Sequence, residues 1–213
     1  MKITKVGILF DFIAFIDIVE DIGELVHPED IKLIKAIGSG SFGTVYLVRS
    51  TKTNQYYALK VINKDKIKLQ SMKKYATNEY KILQMIKHKF IVKLKLSFES
   101  KSHLFLLLEY CQGMDLSKYL DEEGCFTENK ARFFACECIA AINHLHQKGI
   151  VYRDLKPNNI MIDSEGHIKL IDFNLSKSGL NKINKRTNSF CGSYAYMPPE
   201  IINRKPYDKN VDW

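Results

Sequence analysis

No stretch of this 213-residue chain is apolar for long enough to cross a bilayer. The nearest candidate is residues 6–19, which follow Lys2 and Lys5 as in a secretory leader, but Asp11 and Asp17 interrupt it. Ionised carboxylates are costly in lipid, and about 14 residues fall short of the roughly 20 that a spanning helix needs. No membrane span is expected. Zinc-type cysteine spacing is also missing: Cys111, Cys125, Cys136, Cys138 and Cys191 form an odd set, and Cys136 and Cys138 would point to different sides of a helix. Reduced thiols in a cytoplasmic or nuclear protein follow. There is neither an internal repeat nor a low-complexity linker, so the segments belong to one continuous fold. Acidic residues are outnumbered, 24 against 32 basic ones, which leaves a formal net charge of +8. That balance suits a nucleotide, a membrane surface or nucleic acid, but charge alone selects none of them, and a solvated basic surface is the ordinary reading.

What is present is enough apolar material for a core, 46% hydrophobic against 26% charged residues. Residues 1–27 read as a leader of their own, because Asp17, Glu20, Asp21 and Glu24 recur at helical spacing and predict an amphipathic helix. Short apolar stretches at 31–37, 45–48, 56–62, 91–98 and 104–109 are bounded by Gly, Asn, Lys and Ser, as the strands of an antiparallel sheet are. Between them, Tyr75, Tyr80, Ile82, Leu83 and Ile86 predict one helix over 71–87. After Gly113 the character turns helical. Thr127 is placed to cap a long helix that runs to about Gln147, with Phe134, Cys138, Ala141 and Leu145 on its apolar stripe and Gly149 as its stop.

Residues 38–45 read Gly-Ser-Gly-Ser-Phe-Gly-Thr-Val, between two predicted strands. Glycine has no Cβ and takes unusual dihedrals, so backbone amides here can approach phosphate oxygens where a side chain would collide. The triplet alone fits a dinucleotide fingerprint, a flexible turn or a phosphate-covering hairpin about equally, although the absence of a helix after Val45 weighs against the dinucleotide motif. Tyr57-Ala58-Leu59-Lys60 follows on the next strand, which can present an ammonium rigidly to phosphates. Glu79 lies on the helix beyond, where an ion pair could orient that ammonium. Much later come Tyr152-Arg153-Asp154-Leu155-Lys156-Pro157-Asn158-Asn159 and Asp172-Phe173-Asn174. Two aspartates and an asparagine offer hard oxygen ligands and a proton acceptor, the set that magnesium-nucleotide phosphoryl transfer requires.

In order and context these motifs resemble the protein kinase superfamily, whose signature set they match from about residue 28 to 213. Tyr152 in place of the usual histidine, and the loop Ser189-Phe190-Cys191-Gly192-Ser193, resemble the AGC group of cyclic-nucleotide-dependent and ribosomal-protein kinases. The resemblance implies an α+β bilobal fold. Residues 28–109 would form an N-lobe of antiparallel sheet with one main helix, and residues 110–213 the hinge and part of a mainly helical C-lobe. It implies an ATP-dependent serine/threonine protein kinase that uses Mg2+. By that resemblance Gly38, Ser39, Gly40, Ser41, Phe42 and Gly43 cover the phosphates, Lys60 contacts the α and β phosphates and Glu79 holds Lys60. Ile37, Val45, Ala58, Leu108 and Met161 would form the adenine slot, with backbone hydrogen bonds at Glu109 and Cys111 and a ribose contact at Asp115. Asn159 and Asp172 would bind magnesium, Asp154 would take the proton of the target hydroxyl, and Lys156 would steady the transferring group. Leu83, Leu94, Tyr152 and Phe173 resemble the internal apolar stack of active kinases.

The activation segment would run from Asp172 to Glu200, with Ser189 at the regulatory phosphorylation position. An upstream kinase would act on Ser189, and the phosphate would pair with Arg153. Partners would be proteins that carry Ser or Thr targets. Nucleic acid is not expected, since the lysines at 60–74 speak for it by charge alone. The chain departs from the pattern at Asn174, where glycine is usual, at Asn158, where basophilic relatives often carry glutamate, and at Tyr194, where proline is common. Asparagine tolerates a left-handed backbone, so Asn174 is expected to be mild there. Asn174 together with the stop at Trp213 also admits a pseudokinase, a partner-binding fragment without turnover. Asp212 resembles the aspartate that holds the catalytic loop, at the entry to a central C-lobe helix that barely begins here. A chain so ended is expected to be an incomplete gene product, poorly soluble or inactive.

Overall fold

A computed structural model describes residues 13–18, 28–40, 43–64, 70–180 and 186–213. The chain divides into two compact units, Met1–Thr77 with Lys93–Tyr110, and Asn78–Val92 with Cys111–Trp213. This division does not follow the 28–109 and 110–213 partition expected from the sequence, because residues 78–92 join the second unit.

The first unit is a six-stranded sheet. Its strands are β1 (Ile13–Ile18), β2 (Ile31–Gly40), β3 (Gly43–Ser50), β4 (Tyr56–Asn63), β5 (Leu94–Ser100) and β6 (His103–Glu109), in the order β1-β5-β6-β4-β3-β2. Every neighbouring pair is antiparallel. Side chains alternate across a strand, so one face of β4 carries Tyr57, Leu59 and Val61 into a buried cluster with Ile31, Val48, Leu96, Phe98, Phe105 and Leu107. Phe98 and Phe105 stack there with ring centroids 4.7 Å apart. Each such fully buried side chain contributes about 1.5–3 kcal/mol over its exposed state. The sheet corrects two expectations. Residues 13–18 are a strand paired with β5, not part of a helix. The β-branched and aromatic run Ile-Ala-Phe-Ile-Asp-Ile suits a pleated surface, and the edge of β5 offers it backbone partners. Glu20, Asp21 and Glu24, the rest of that acidic pattern, lie outside the described residues. The fourth predicted strand also begins at Leu94 rather than at Ile91, for a reason found in the second unit.

In the second unit, Ile91 makes an isolated parallel bridge with Leu170, Val92 N–H donates to Leu170 O at 3.0 Å, and Leu170 N–H donates to Phe90 O at 2.9 Å. These bonds commit residues 90–92 to the hairpin of β7 (Ile160–Ile162) and β8 (Ile168–Leu170). The helices are α1 (Gln70–Met85), which the second unit takes over from Asn78 onward, α2 (Leu116–Glu123), α3 (Glu128–Gln147) and the short α4 (Pro199–Ile202). Helix α3 starts as expected, with Thr127 Oγ1 accepting from Lys130 N–H at 3.3 Å, and ends before Gly149 at φ 68°. It buries Phe134, Ala141, Ile142 and Leu145, but also Glu137 and His146. Cys138, expected on that stripe, is half-buried, and burial pushes its thiol up to about 11. Glu137 earns its buried place by accepting from Ile168 N–H at 2.9 Å while its other oxygen lies 2.5 Å from His167 Nδ1. All five cysteines are free thiols. No described helix is long and apolar enough to cross a membrane.

Candidate active site

Within the first unit, strand register gathers the expected residues on the sheet face opposite the buried cluster. Val45 pairs with Lys60 and Lys60 with Leu106, while Leu47 pairs with Ala58 and Ala58 with Leu108. Directly paired residues share a face, so Val45, Ala58, Lys60, Leu106 and Leu108 lie together. Leu106, fully buried there, was not singled out by the sequence motifs. Ala58 and Leu108 are only half-buried, whereas their neighbours Leu59 and Leu107 are fully covered in the core. Lys60 is 8% exposed. Ile37 is exposed on β2, and Glu109 at the end of β6 exchanges backbone and side-chain bonds with Lys93.

The glycines of the β2–β3 hairpin differ in why they are glycine. A Cβ on Gly43 would stand 2.0 Å from Val61 O, so the pairing of β3 with β4 itself requires glycine. A Cβ on Gly40 would meet nothing within 4 Å, and one on Gly38 only Val45 at 3.8 Å. Packing among the described residues therefore does not account for glycine at 38 and 40. Ser39 pairs with Thr44, while Ser41 and Phe42 lie outside the described residues.

Within the second unit the candidates stand on loops. Asp154 Oδ1 accepts from Ser193 N–H at 3.0 Å and Ser193 Oγ at 2.8 Å, and Oδ2 accepts from Asn159 Nδ2 at 2.9 Å. Lys156 Nζ lies 2.9 Å from Asp154 Oδ2 and donates to Ser193 Oγ at 2.6 Å. Ser193 is the member of this set to which the sequence motifs gave no role; it stands 39 residues from Asp154 along the chain, where no spacing rule reaches. Asn159 is buried, and its backbone oxygen accepts from Ile171 N–H at 2.9 Å, next to Asp172. Arg153 and Asp172 both hold left-handed backbones, at φ 72° and 58°, a conformation that a side chain normally disfavours and that surrounding bonds must enforce.

For Arg153 those bonds come from Asp212. Its buried carboxylate accepts from Tyr152 N–H at 2.8 Å and Arg153 N–H at 2.7 Å, and lies 2.8 Å from His146 Nε2. Tyr152, with no exposed surface, meets Phe173 edge to face at 5.2 Å and donates its hydroxyl to Ile171 O. Burial, then the charges of Asp172, Asp154 and Asp212, hold the Tyr152 phenol well above its usual range, so it stays an O–H donor. Leu83, Leu94, Tyr152 and Phe173, the expected stack, are each buried.

Other expected residues are engaged differently. Asp115 caps α2, accepting from Lys118 N–H at 3.1 Å, and Met161 bridges to it by backbone pairing. Cys111 is buried, and Gly113 passes so near Ile162 O that a Cβ would be 1.9 Å from it. Glu79 is buried on α1. Arg153 is buried, with Nε donating to Leu175 O at 2.6 Å and Nη1 to Tyr207 Oη at 3.1 Å. Its path to Ser189 runs through Tyr207, whose hydroxyl donates to Ser189 O at 2.7 Å. Asn174 is buried but not left-handed; the positive φ expected there belongs to Asp172. Among the described residues no group of three or more His, Cys, Asp or Glu could hold a metal ion.

Asp154 is thus a carboxylate held by an amide, an ammonium and a serine, on a loop pinned from behind by Asp212. A family model described as "protein kinase domain" matches residues 31–213, and the chain belongs to that family. Its relatives are serine/threonine kinases of the AGC type. The chain is 44% identical to Serine/threonine-protein kinase AtPK2/AtPK19 of Arabidopsis thaliana over 91% of its own length and 41% of that protein's. It is 43% identical to Serine/threonine-protein kinase Sgk1 of Xenopus tropicalis over 87% of the chain and 44% of the relative. The human Sgk1 gives 43% identity over 87% and 43%. The chain thus spans less than half the length of the curated relatives it matches.

Proposed function

We propose that this chain carries the catalytic residues of a serine/threonine protein kinase that transfers the γ-phosphoryl group of ATP to protein hydroxyls. The observation that carries the reading is Asp154, a carboxylate fixed by Asn159, Lys156 and Ser193 in a chain of the protein kinase family. In this reading the sheet face of Val45, Ala58, Lys60 and Leu108 takes the nucleotide. Glycine at 38 and 40, for which packing among the described residues gives no reason, leaves bare backbone for phosphate oxygens, and Lys60 adds an ammonium. Glu79, buried on α1, is the acidic residue of the set that the family resemblance implies.

The donor chemistry fits magnesium, which is content with one or two protein oxygens plus phosphates and water. Asn159 turns its amide nitrogen to Asp154, so its amide oxygen is the hard donor, and the Asp172 carboxylate is the second. When bound, the ion neutralises phosphate charge. Asp154 accepts the hydrogen bond of the substrate hydroxyl and takes up its proton, and Lys156 holds negative charge as it develops. Ser189 is the site at which a separate activating kinase acts. Its Oγ lies 3.2 Å from Thr187 Oγ1, which Lys177 Nζ contacts at 2.5 Å, so one cationic side chain is at hand for a phosphate.

Transfer of label from γ-labelled ATP to a basic protein substrate tests the proposal, with Asp172→Ala and Lys60→Met beside the parent chain. Labelled substrate from the parent and none from either variant is expected. Equal transfer by all three would overturn it.

A further inference from the structure

We propose that Asn78 and Ser176 form a positioning link that fixes the helix carrying Glu79 against the segment leaving Asp172. Asn78 immediately precedes Glu79 on α1, and its Nδ2 donates to the main-chain oxygen of Ser176, 98 residues along. Ser176 is 1% exposed, and each of its polar groups is committed to a different element. Its N–H donates to Phe173 O at 3.1 Å, which closes the turn containing Phe173 and Asn174. Its Oγ donates to Tyr152 O at 3.2 Å, which ties that turn to the loop bearing Asp154. One residue on, Lys177 and Val151 exchange both backbone bonds at 2.9 Å.

A buried carbonyl needs a partner, and here the partner is a side chain on α1 rather than a neighbouring strand. The bond therefore does more than satisfy Ser176. Movement of α1 away from this point would strand both the amide of Asn78 and the carbonyl of Ser176, so the position of Glu79 and the turn after Asp172 are set together. Asn78 reaches no reacting atom in this scheme; it acts through Glu79 and Asp172. The kinetic consequence rests on the kinase reading, whereas the link itself does not.

The test uses the whole chain with Asn78→Asp, which keeps the shape and loses the donor, and Asn78→Leu, which loses both polar atoms. Hydrogen exchange is read at the amides of Ser176 and Lys177, with those of Ala141, Ile142 and Leu145 in α3 as the internal reference. Both variants are expected to speed exchange at 176 and 177 at least threefold while the α3 amides stay as they were. In the transfer assay, kcat is expected to fall roughly three- to tenfold with the KM for ATP within about twofold, the scale of one lost hydrogen bond. Unchanged exchange at 176 and 177, or equal acceleration in α3, would overturn the link. A KM that rises with no loss in kcat would overturn its positioning role. A parent chain with no transfer at all counts against the kinase reading alone, and the exchange result then decides the link.

Discussion

In the first unit the candidate residues are held in place by strand register, while in the second they stand on loops held by side chains far along the chain. Val45, Ala58, Lys60 and Leu108 share a face because β3, β4 and β6 pair without a slip between them. Asp154 and its neighbours owe their placement to Ser193 and Asp212, the latter 60 residues from the Tyr152 amide it holds. A register error would move the whole first set at once, whereas the loop set can be dismantled one anchor at a time. The glycines show the same contrast. Gly43 answers to a neighbouring strand, and Gly192, at φ 115° with Arg153 O only 2.9 Å from a would-be Cβ, answers to a loop distant in sequence.

The sharpest way to break the comparison is at the anchor of the loops. Asp212→Ala leaves two buried N–H donors without their acceptor, and about 4 kcal/mol of stability should be lost, a large part of the 5–15 kcal/mol a domain typically has. Urea titration read by the fluorescence of Trp213, the sole tryptophan, whose ring meets His146 at 5.2 Å, measures it. The matching strike on the sheet is Gly43→Ala. The atom in the way is backbone of the paired strand and cannot swing aside, so about 3 kcal/mol should be lost, with amide exchange accelerating in β3 and β4 first.

Acid should separate the units. His88 and His144 stack at 4.8 Å in the second unit. Burial, then His144, Lys89 and Lys169 lower the pKa of His88, and burial, then Lys148, lowers that of His144. Both rings are thus held below the usual 6.5, and the unfolded chain binds more protons as the pH falls past that value. The stability they lend is complete above about pH 6.5 and declines below it. Melts followed between pH 7.5 and 5 by Trp213 should therefore drop on the acid side, and His88→Phe with His144→Phe should flatten that drop.

The smallest expected effect is at Asn174. A glycine there frees no strained backbone, because the left-handed residue is Asp172, and it removes a buried side chain. Asn174→Gly should cost about 1 kcal/mol rather than improve the site, as thermal melting of the variant would register.

The sheet was nearly all legible in the sequence because its pattern is local: alternation, a glycine hairpin and a lysine at fixed offset. So was Thr127, whose cap bond spans three residues. What escaped depended on partners at a distance. Glu137 reads as a surface charge on a helix until His167 and Ile168, 30 and 31 residues away, arrive at its oxygens. Ser193 is an ordinary loop serine until Asp154 is beside it. The sequence of β1 misleads because carboxylates three and four residues apart imitate a helix face, while the edge of β5 that recruits the strand lies some 80 residues downstream. Ile91 and Val92 have strand composition, yet Leu170 captures them before they can extend β5.

The division of labour between sheet face and loop set is tested most directly by one variant with two readings. In Asp154→Asn, equilibrium ATP binding and phosphoryl transfer are measured on the same preparation. Binding within about twofold of the parent, with turnover lower by at least about a hundredfold, is the predicted result, because general-base contributions are of that order and the nucleotide does not depend on this carboxylate. Equal losses in binding and turnover, or parental turnover, would contradict it.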